Sequence, residues 1–124
     1  MTRSLGASLT PALVERFSQR GLSERLGLAL PFVTVDREGR PHPMLLSYLE
    51  LRAYDAGTIG VVIGARSRSA RNLVERETGT LLVIEPDAIV YVKLRAVDGP
   101  LPVAGAAELE LGYFLLAVEE VLED

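Results

Sequence analysis

The chain has 124 residues, of which 48% are hydrophobic and 24% charged, so it suits one domain with a core and not two domains of ordinary size. This composition excludes a disordered chain. The formal net charge is −4, whereas nucleic-acid-binding proteins are usually basic, so we expect no nucleic-acid partner. Cysteine is absent and histidine occurs once, which excludes a disulfide framework, a thiolate metal site and a two-histidine metal site.

Signals for export and for membrane insertion are missing from the sequence. No apolar run approaches the roughly 18 residues that a membrane-spanning helix needs. Residues 1–6 lack the apolar segment of a secretory signal. We therefore expect a cytoplasmic protein without membrane contact, formed by residues 1–124 as a single domain.

Residues 1–24 are predicted to be an N-terminal helical segment. Thr10 followed by Pro11 is typical of a helix start, because threonine caps well and proline fits the first helical position. A second short helix, capped by Ser23, is predicted within residues 22–30.

A β-hairpin is predicted to follow. Residues 32–35 are β-branched and aromatic, residues 36–39 have the composition of a turn, and residues 44–49 form the returning strand. That second strand is apolar on both faces, so each face needs a cover. One cover is the core of the domain, and the other is a helix, a partner subunit or a bound ligand.

Residues 58–64 form a third predicted strand whose two faces differ. Three β-branched side chains share one face, whereas Gly60 and Gly64 leave the other face bare. Glycine weakens a strand unless something approaches the backbone closely. The bare face therefore either packs against another element or receives a ligand.

A helix is predicted after this strand, running to about Glu77, with Ser67 or Ser69 as its N-cap. Its inward residues are predicted to be Ala70, Leu73 and Val74.

The remaining segments are predicted to be mostly strands. Residues 80–85 and 88–97 have strand patterns, and Asp98-Gly99-Pro100 is expected to end the second. Residues 112–121 are predicted to be a closing strand, although the composition of the tail also fits an amphipathic helix. Five or six strands with frequent turn signals are typical of a barrel, so residues 25–124 predict a mainly β fold with flanking helices.

The start of the predicted helix carries an unusual charge. Arg66, Arg68 and Arg71 lie there without any acidic residue, although a helix N-terminus favours negative charge. Each such arginine costs about 0.3–1 kcal/mol at the surface. A bound phosphate would turn this unfavourable interaction into a favourable one, with Ser67 and Ser69 as further ligands. Solvated arginines and an acidic protein partner are the alternatives.

The other polar residues give weaker indications of function than the arginine cluster does. His42 lies between two prolines and is interpreted as a surface or packing residue rather than a proton shuttle. Tyr48 and Tyr91 are interpreted as core or interface aromatics rather than catalytic acids. We assign no catalytic residue from the sequence.

The order of four segments resembles the pyridoxamine 5′-phosphate oxidase-like FMN-binding split barrels. Phe32 to Pro43 resembles their first hairpin, and Arg66 to Leu73 resembles their phosphate-binding step from strand to helix. Val90 to Ala96 resembles their next long strand, and Phe114 to Asp124 their closing strand. The resemblance covers about residues 25–124 and rests on the order of the motifs.

This resemblance implies a six-stranded antiparallel split β-barrel with one helix between strands. It also implies a homodimer that holds FMN in a groove between the subunits. By that likeness, Ser67, Arg68 and Ser69 hold the FMN phosphate. Arg66 or Arg71 assists them.

The resemblance also implies where the flavin ring lies. The backbone of Met44, Leu45 and Leu46 would line the edge of the isoalloxazine, beside the bare glycine face. The partner subunit would contribute the strand that holds Tyr91 and Lys93.

The sequence departs from the oxidases at two of these positions. Met44 stands where they carry an arginine, and Ser69 stands where they carry a lysine. Their substrate-binding residues have no counterpart here, so oxidation of pyridoxamine phosphate itself is not expected. We expect a dimeric, flavin-dependent oxidoreductase that acts on a small molecule. The alternative is a binding or structural module whose groove is empty or holds a deazaflavin or haem.

Overall fold

A computed structural model describes residues 1–124, apart from the side chain of residue 107. Over this chain the fold is mainly β, with eight antiparallel strands and two α-helices. The strands are β1 (Arg3–Gly6), β2 (Ala29–Val35), β3 (Pro41–Ser47), β4 (Leu51–Asp55), β5 (Thr58–Gly64), β6 (Thr78–Glu85), β7 (Ala88–Pro102) and β8 (Leu111–Glu123). The helices are α1 (Pro11–Arg16) and α2 (Arg68–Arg76).

The strands form one sheet in the order β3-β2-β6-β7-β8-β5-β4, and β1 pairs with β8. The two edge strands of this order, β3 and β4, follow each other in the chain and are joined by a 3-10 turn at Tyr48–Glu50. They do not pair with each other in the described sheet, so the barrel is split between them. The predicted mainly β split barrel with flanking helices is therefore confirmed.

The inner face of the sheet and the two helices enclose one hydrophobic core. Alternate residues of each long strand face inward, as the period of a strand requires. Helix α1 contributes Leu13 and the following Phe17, and α2 contributes Ala70 and Leu73. The apolar strand residues with no exposed surface are Phe32, Ile59, Leu81, Val83, Val92, Leu116 and Val121.

The segment after α1 packs against β4 and the 3-10 turn that precedes it. The carbonyl of Phe17 accepts a hydrogen bond from the N–H of Ala53 in β4, at 2.9 Å. The side-chain amide of Gln19 donates to the carbonyls of Tyr48, at 2.8 Å, and of Leu51. These bonds satisfy backbone groups that the open barrel leaves without a neighbouring strand.

Several predicted elements are confirmed. The turn after β2 ends at Gly39 as expected, β5 spans residues 58–64, and the tail is the strand β8 and not a helix. Thr10 caps α1 with its side chain, and Pro11 is the first helical residue.

The strand count is eight rather than six, because β1 and β4 were not anticipated. Residues 3–6 are a strand and not helix, since the long β8 offers them an edge at Val121–Glu123. The second short helix is also wrong. Only a 3-10 turn forms at Leu22–Glu24, and Gly27 at φ +87° is incompatible with a helix that continues.

The prediction that Asp98-Gly99-Pro100 ends the strand is wrong, because β7 continues through these residues to Pro102. The pairing of β7 with β8 shifts register on both sides of Asp98, which accommodates the extra residues as bulges. A β-carbon at Gly99 would lie 2.6 Å from the carbonyl oxygen of Tyr113, so the two backbones approach closely there.

The strand that was expected to be buried on both faces is covered on one. Leu46 and Leu51 are buried, whereas the side chains of Leu45 and Leu49 are 67% and 59% exposed. The 3-10 turn at Tyr48–Glu50 interrupts the alternation of inward and outward side chains, so that Leu51 faces the core. The outer face of β3 is thus uncovered in the single chain.

In helix α2, Val74 was expected to be buried but is 56% exposed. It lies about 100° around the helix from Leu73, beyond the face that meets the sheet.

Two negative findings bear on function. No helix within residues 1–124 has the length and apolar character to cross a membrane. Among the described side chains, no group of three or more histidines, cysteines or acidic residues is placed to hold a metal ion.

Candidate functional site

Helix α2 begins with a side-chain cap that Ser67 provides. Its hydroxyl oxygen accepts a hydrogen bond from the N–H of Ala70 at 3.1 Å and donates to the carbonyl of Gly64 at 2.8 Å. The first turn holds no acidic residue. The N–H groups of Arg68 and Ser69 have no carbonyl partner within the helix, since they lie in its first turn. Ser67 is therefore engaged as the cap, and its neighbours carry the free N–H groups.

A surface cavity of about 340 Å³ lies between α2 and the turn that joins β2 to β3. Its volume is within the range of small-ligand sites. Basic and acidic side chains make up most of its wall. The lining residues are Asp36, Arg37, Glu38, Arg40, His42, Arg68, Arg71, Asn72 and Glu75.

The acidic side chains of this cavity already have partners. Glu75 pairs with Arg37 at 3.1 Å, and Glu38 is 3.9 Å from Arg40. The carboxylate of Asp36 accepts hydrogen bonds from the backbone N–H groups of Arg40 and Glu38, both at 2.9 Å. These bonds, first the one from Arg40, hold the pKa of Asp36 below its ordinary value.

Two guanidinium groups of the cavity remain available. Among the described side chains, no carboxylate lies within ion-pair distance of Arg68 or Arg71. Both are exposed residues of α2 that line the cavity beside the first turn of the helix. Guanidinium groups beside free helix N–H groups are suited to bind an anion such as phosphate.

A buried hydrogen-bond chain holds the two walls of the cavity together. Asn72, 5% exposed, donates from Nδ2 to the hydroxyl of Thr34 at 3.0 Å. The Thr34 hydroxyl donates in turn to the carbonyl of His42 at 3.4 Å. One side chain of α2 is thereby linked to both strands of the hairpin.

We expect Asn72→Ala to lower the free energy of unfolding by about 1–3 kcal/mol, because buried partners lose a hydrogen bond. Urea denaturation followed by circular dichroism measures this change. Val74→Ala is the control, since Val74 is an exposed residue of the same helix. Equal effects of the two substitutions, both below about 0.5 kcal/mol, would contradict a structural role for Asn72.

Arg66 and Ser69 are placed differently from Arg68. Arg66, with its side chain 84% exposed, lies 3.6 Å from Glu110 and lines a second cavity of about 410 Å³ on the other side of α2. Arg71 lines both cavities. Ser69 is 2% exposed and lines neither of them. Arg68 and Arg66 thus line different cavities, and Arg71 lies between them and borders both.

Tyr91 and Lys93 lie on the outer face of β7, apart from the arginine cavity. Lys93 lines a third cavity, of about 690 Å³, together with Glu119 and Glu120. The hydroxyl of Tyr91 donates to the carboxylate of Asp124 at 2.5 Å, and this bond raises the pKa of Tyr91. One chain does not bring these two residues into the cavity of Arg68 and Arg71.

Met44, Leu45 and Leu46 lie on β3, which is an edge of the sheet. They pair only with β2, so one side of the β3 backbone keeps its N–H and C=O groups free of strand pairing. Leu45 is exposed and Leu46 is buried, while Met44 is half-buried. This edge can offer backbone hydrogen bonds to a planar ligand.

Gly60 is explained by close packing and not by ligand approach. A β-carbon there would overlap the Tyr113 hydroxyl and lie 2.9 Å from a ring carbon of Tyr54. The two phenol groups contact each other, and burial, with this contact, raises the pKa of Tyr113. The bare face that the sequence predicted is therefore limited to Gly64, whose added β-carbon would make only ordinary contacts.

His42 also lies at the candidate site, a placement that the sequence interpretation did not include. It lines the arginine cavity, and its register partner across the hairpin is the buried Thr34. The alternation of β3 was a usable signal, since His42 and the buried Leu46 lie an even number of residues apart and share a face.

The sequence itself matches no protein-family model and no curated protein. The fold, however, is similar to solved structures. A candidate pyridoxamine 5′-phosphate oxidase from Lactobacillus delbrueckii superposes with a TM-score of 0.72 at 16% identity, over 96% of this chain and 98% of its own. An FMN-binding protein from Syntrophomonas wolfei superposes with a TM-score of 0.66 at 14% identity, over 90% and 86%.

An F420 reductase superposes with a TM-score of 0.61 at 15% identity, over 82% of this chain and 96% of its own. Identities this low are informative about architecture and not about ligand or reaction. The chain has the split-barrel fold of the pyridoxamine 5′-phosphate oxidase-like and FMN-binding proteins.

Proposed function

We propose that this protein binds FMN, with the phosphate in the cavity of Arg68 and Arg71, and acts as a flavin-dependent oxidoreductase on a small molecule. The observation that carries the proposal is a pair of guanidinium groups without a carboxylate partner at the first turn of α2. An FMN-binding protein has the same fold, so the architecture is compatible with this ligand.

The energetics of the helix end favour an anionic ligand. Arginine at a helix N-terminus is unfavourable by some tenths of a kcal/mol, because the helix dipole is positive there. A phosphate between Arg68 and Arg71 converts that repulsion into charge-assisted hydrogen bonds. The free N–H group of Arg68, which lines the cavity, adds a further donor.

The edge of β3 is proposed to hold the flavin ring. On the side of β3 that does not pair with β2, the backbone of the Met44–Leu46 segment would offer N–H and C=O groups to the polar edge of an isoalloxazine. Bound flavin would supply hydride or single-electron transfer, and the protein would position it and exclude water. No side chain is assigned as an acid or base.

We further propose that the active form is a homodimer. The outer face of β3, β2, β6 and β7 carries apolar side chains that a monomer leaves in water. Leu45 is 67% and Ile84 57% exposed. Leu45 is the register partner of Pro31 and Leu82 that of Tyr91, so apolar residues pair across β3 and β2 and across β6 and β7. A second copy would cover them and bring its Tyr91 and Lys93 to the flavin groove.

Leu45→Glu is expected to convert the dimer into a monomer, because it places a charge within the apolar face. Light scattering after size-exclusion chromatography measures the mass. Leu109→Glu is the matched control, since Leu109 is 62% exposed and lies before β8, away from this face. A wild-type protein that is monomeric under the same conditions contradicts the proposed dimer.

Titration with FMN and with riboflavin tests the proposed ligand. We expect FMN to bind and to show quenched fluorescence, and riboflavin to bind at least tenfold more weakly, since one lost charge-assisted contact is worth about 1.5 kcal/mol or more. Equal affinity for the two flavins would refute a phosphate site. Binding of a deazaflavin or haem in place of FMN would support the alternative, a module whose groove holds one of those groups.

A further inference from the structure

We infer that His42 is a third contact for the flavin phosphate and makes FMN affinity depend on pH. The inference rests on the proposed FMN site and adds a residue that neither the arginine cluster nor the fold comparison indicates. It concerns recognition of the ligand and does not make His42 a catalytic residue.

The position of His42 supports this role. It lines the same cavity as Arg68 and Arg71 and is only partly buried, so its ring is accessible from the cavity. Its backbone carbonyl accepts the Thr34 hydroxyl, which itself accepts from Asn72 of α2. The hairpin that carries the imidazole is therefore tied to the helix that carries the two guanidinium groups.

The charges around His42 determine how its protonation responds to a ligand. The carboxylate of Asp36 faces it, and a protonated His42 contributes to the lowered pKa of that carboxyl. Glu38 and Glu75 also line the cavity, each within ion-pair distance of an arginine. The cations that line the cavity with His42 are Arg37, Arg40, Arg68 and Arg71.

A bound phosphate changes this balance. Without it, Arg68 and Arg71 have no anionic partner among the described side chains. A phosphate between them compensates their charge and gives an imidazolium a hydrogen-bond acceptor. Binding of FMN is thus linked to proton uptake by His42, and by reciprocity protonation of His42 strengthens FMN binding.

The experiment compares FMN dissociation constants of the wild type and His42→Gln from about pH 8 to about pH 5.5, by flavin fluorescence. The phosphate of free FMN gains a proton near pH 6 in both titrations, and this contribution of the free ligand cancels in the ratio of the two constants at each pH. We expect this ratio to rise from about 1 at the alkaline end to about 10 at the acidic end, the value of one charge-assisted contact.

Two controls separate this role from a structural one. Riboflavin lacks the phosphate, so its affinity ratio between the two proteins should not change with pH. His42→Lys carries a permanent charge and should bind FMN more tightly than the wild type at about pH 8. Equal urea midpoints of the variants establish that the fold is intact.

The outcomes distinguish the inference from the proposed function. If both proteins bind FMN and their affinity ratio stays constant with pH, His42 is not a phosphate contact, although the FMN site stands. If the ratio rises equally with riboflavin, His42 acts on the ring or on the fold and the inference is wrong. Failure of both proteins to bind FMN at any pH overturns the FMN site and the inference with it.

Discussion

Substituting both Arg68 and Arg71 by alanine is expected to weaken FMN binding by about 100-fold or more. Each guanidinium supplies a charge-assisted contact worth about 1.5–3 kcal/mol, and a tenfold change in affinity corresponds to about 1.4 kcal/mol. Neither side chain is used by an ion pair within the described protein, so its removal leaves no buried charge behind. Isothermal titration with FMN measures the loss.

Matched arginine variants establish that the effect is local. Arg20→Ala removes the same charge from the segment after α1, where the side chain is 79% exposed, and should leave the affinity unchanged. Arg66→Ala tests the second cavity, because Arg66 lies beside Glu110 on the other side of α2. A larger loss with Arg66→Ala than with Arg68→Ala would move the phosphate to that cavity and contradict the proposed site.

Phe32→Ala is expected to lower the free energy of unfolding by about 3–5 kcal/mol. Phe32 lies in the middle of β2, has no exposed surface, and pairs with Met44 on one side and Leu81 on the other. Removing its ring leaves a cavity at the centre of the barrel that the close-packed strands cannot fill. Urea denaturation measures the change, with Leu26→Ala as an exposed control at 62% exposure.

The contact of Phe32 with Gly79 allows a sharper version of this experiment. A β-carbon at Gly79 would lie 2.7 Å from the tip of the Phe32 ring, so Gly79→Ala should also be destabilising, by about 1–3 kcal/mol. In the Phe32→Leu background the same substitution should cost less, since the shorter side chain makes room. Strictly additive effects would contradict a direct contact between the two positions.

Much of the secondary structure could be predicted because it depends on neighbours in the chain. The strand β5 and the turn after β2 follow from β-branched runs and a glycine-containing turn. The Ser67 cap also follows from local chemistry, because a hydroxyl reaches an N–H three residues further on. The same local logic identified the arginines at the start of α2 as out of place for a helix N-terminus.

Other features required contacts between distant parts of the chain. From the sequence, Gly60 is explained equally well by close packing or by the approach of a ligand. The position of Tyr113 next to it indicates close packing. The bulged passage of β7 through Asp98 depends on its register with β8. The separation of Arg66 from Arg68 depends on which side of α2 faces the hairpin.

By itself, the sequence determined a mainly β domain with an arginine-rich, acid-free start to one helix, since periodicity, capping and helix-end electrostatics act over a few residues. Only the tertiary structure decided that β3 is an edge strand, that Leu45 is uncovered, and that His42 meets Arg68 across a cavity. The physical reason is register: strand pairing brings residues far apart in the chain into contact, and no local preference specifies which ones meet.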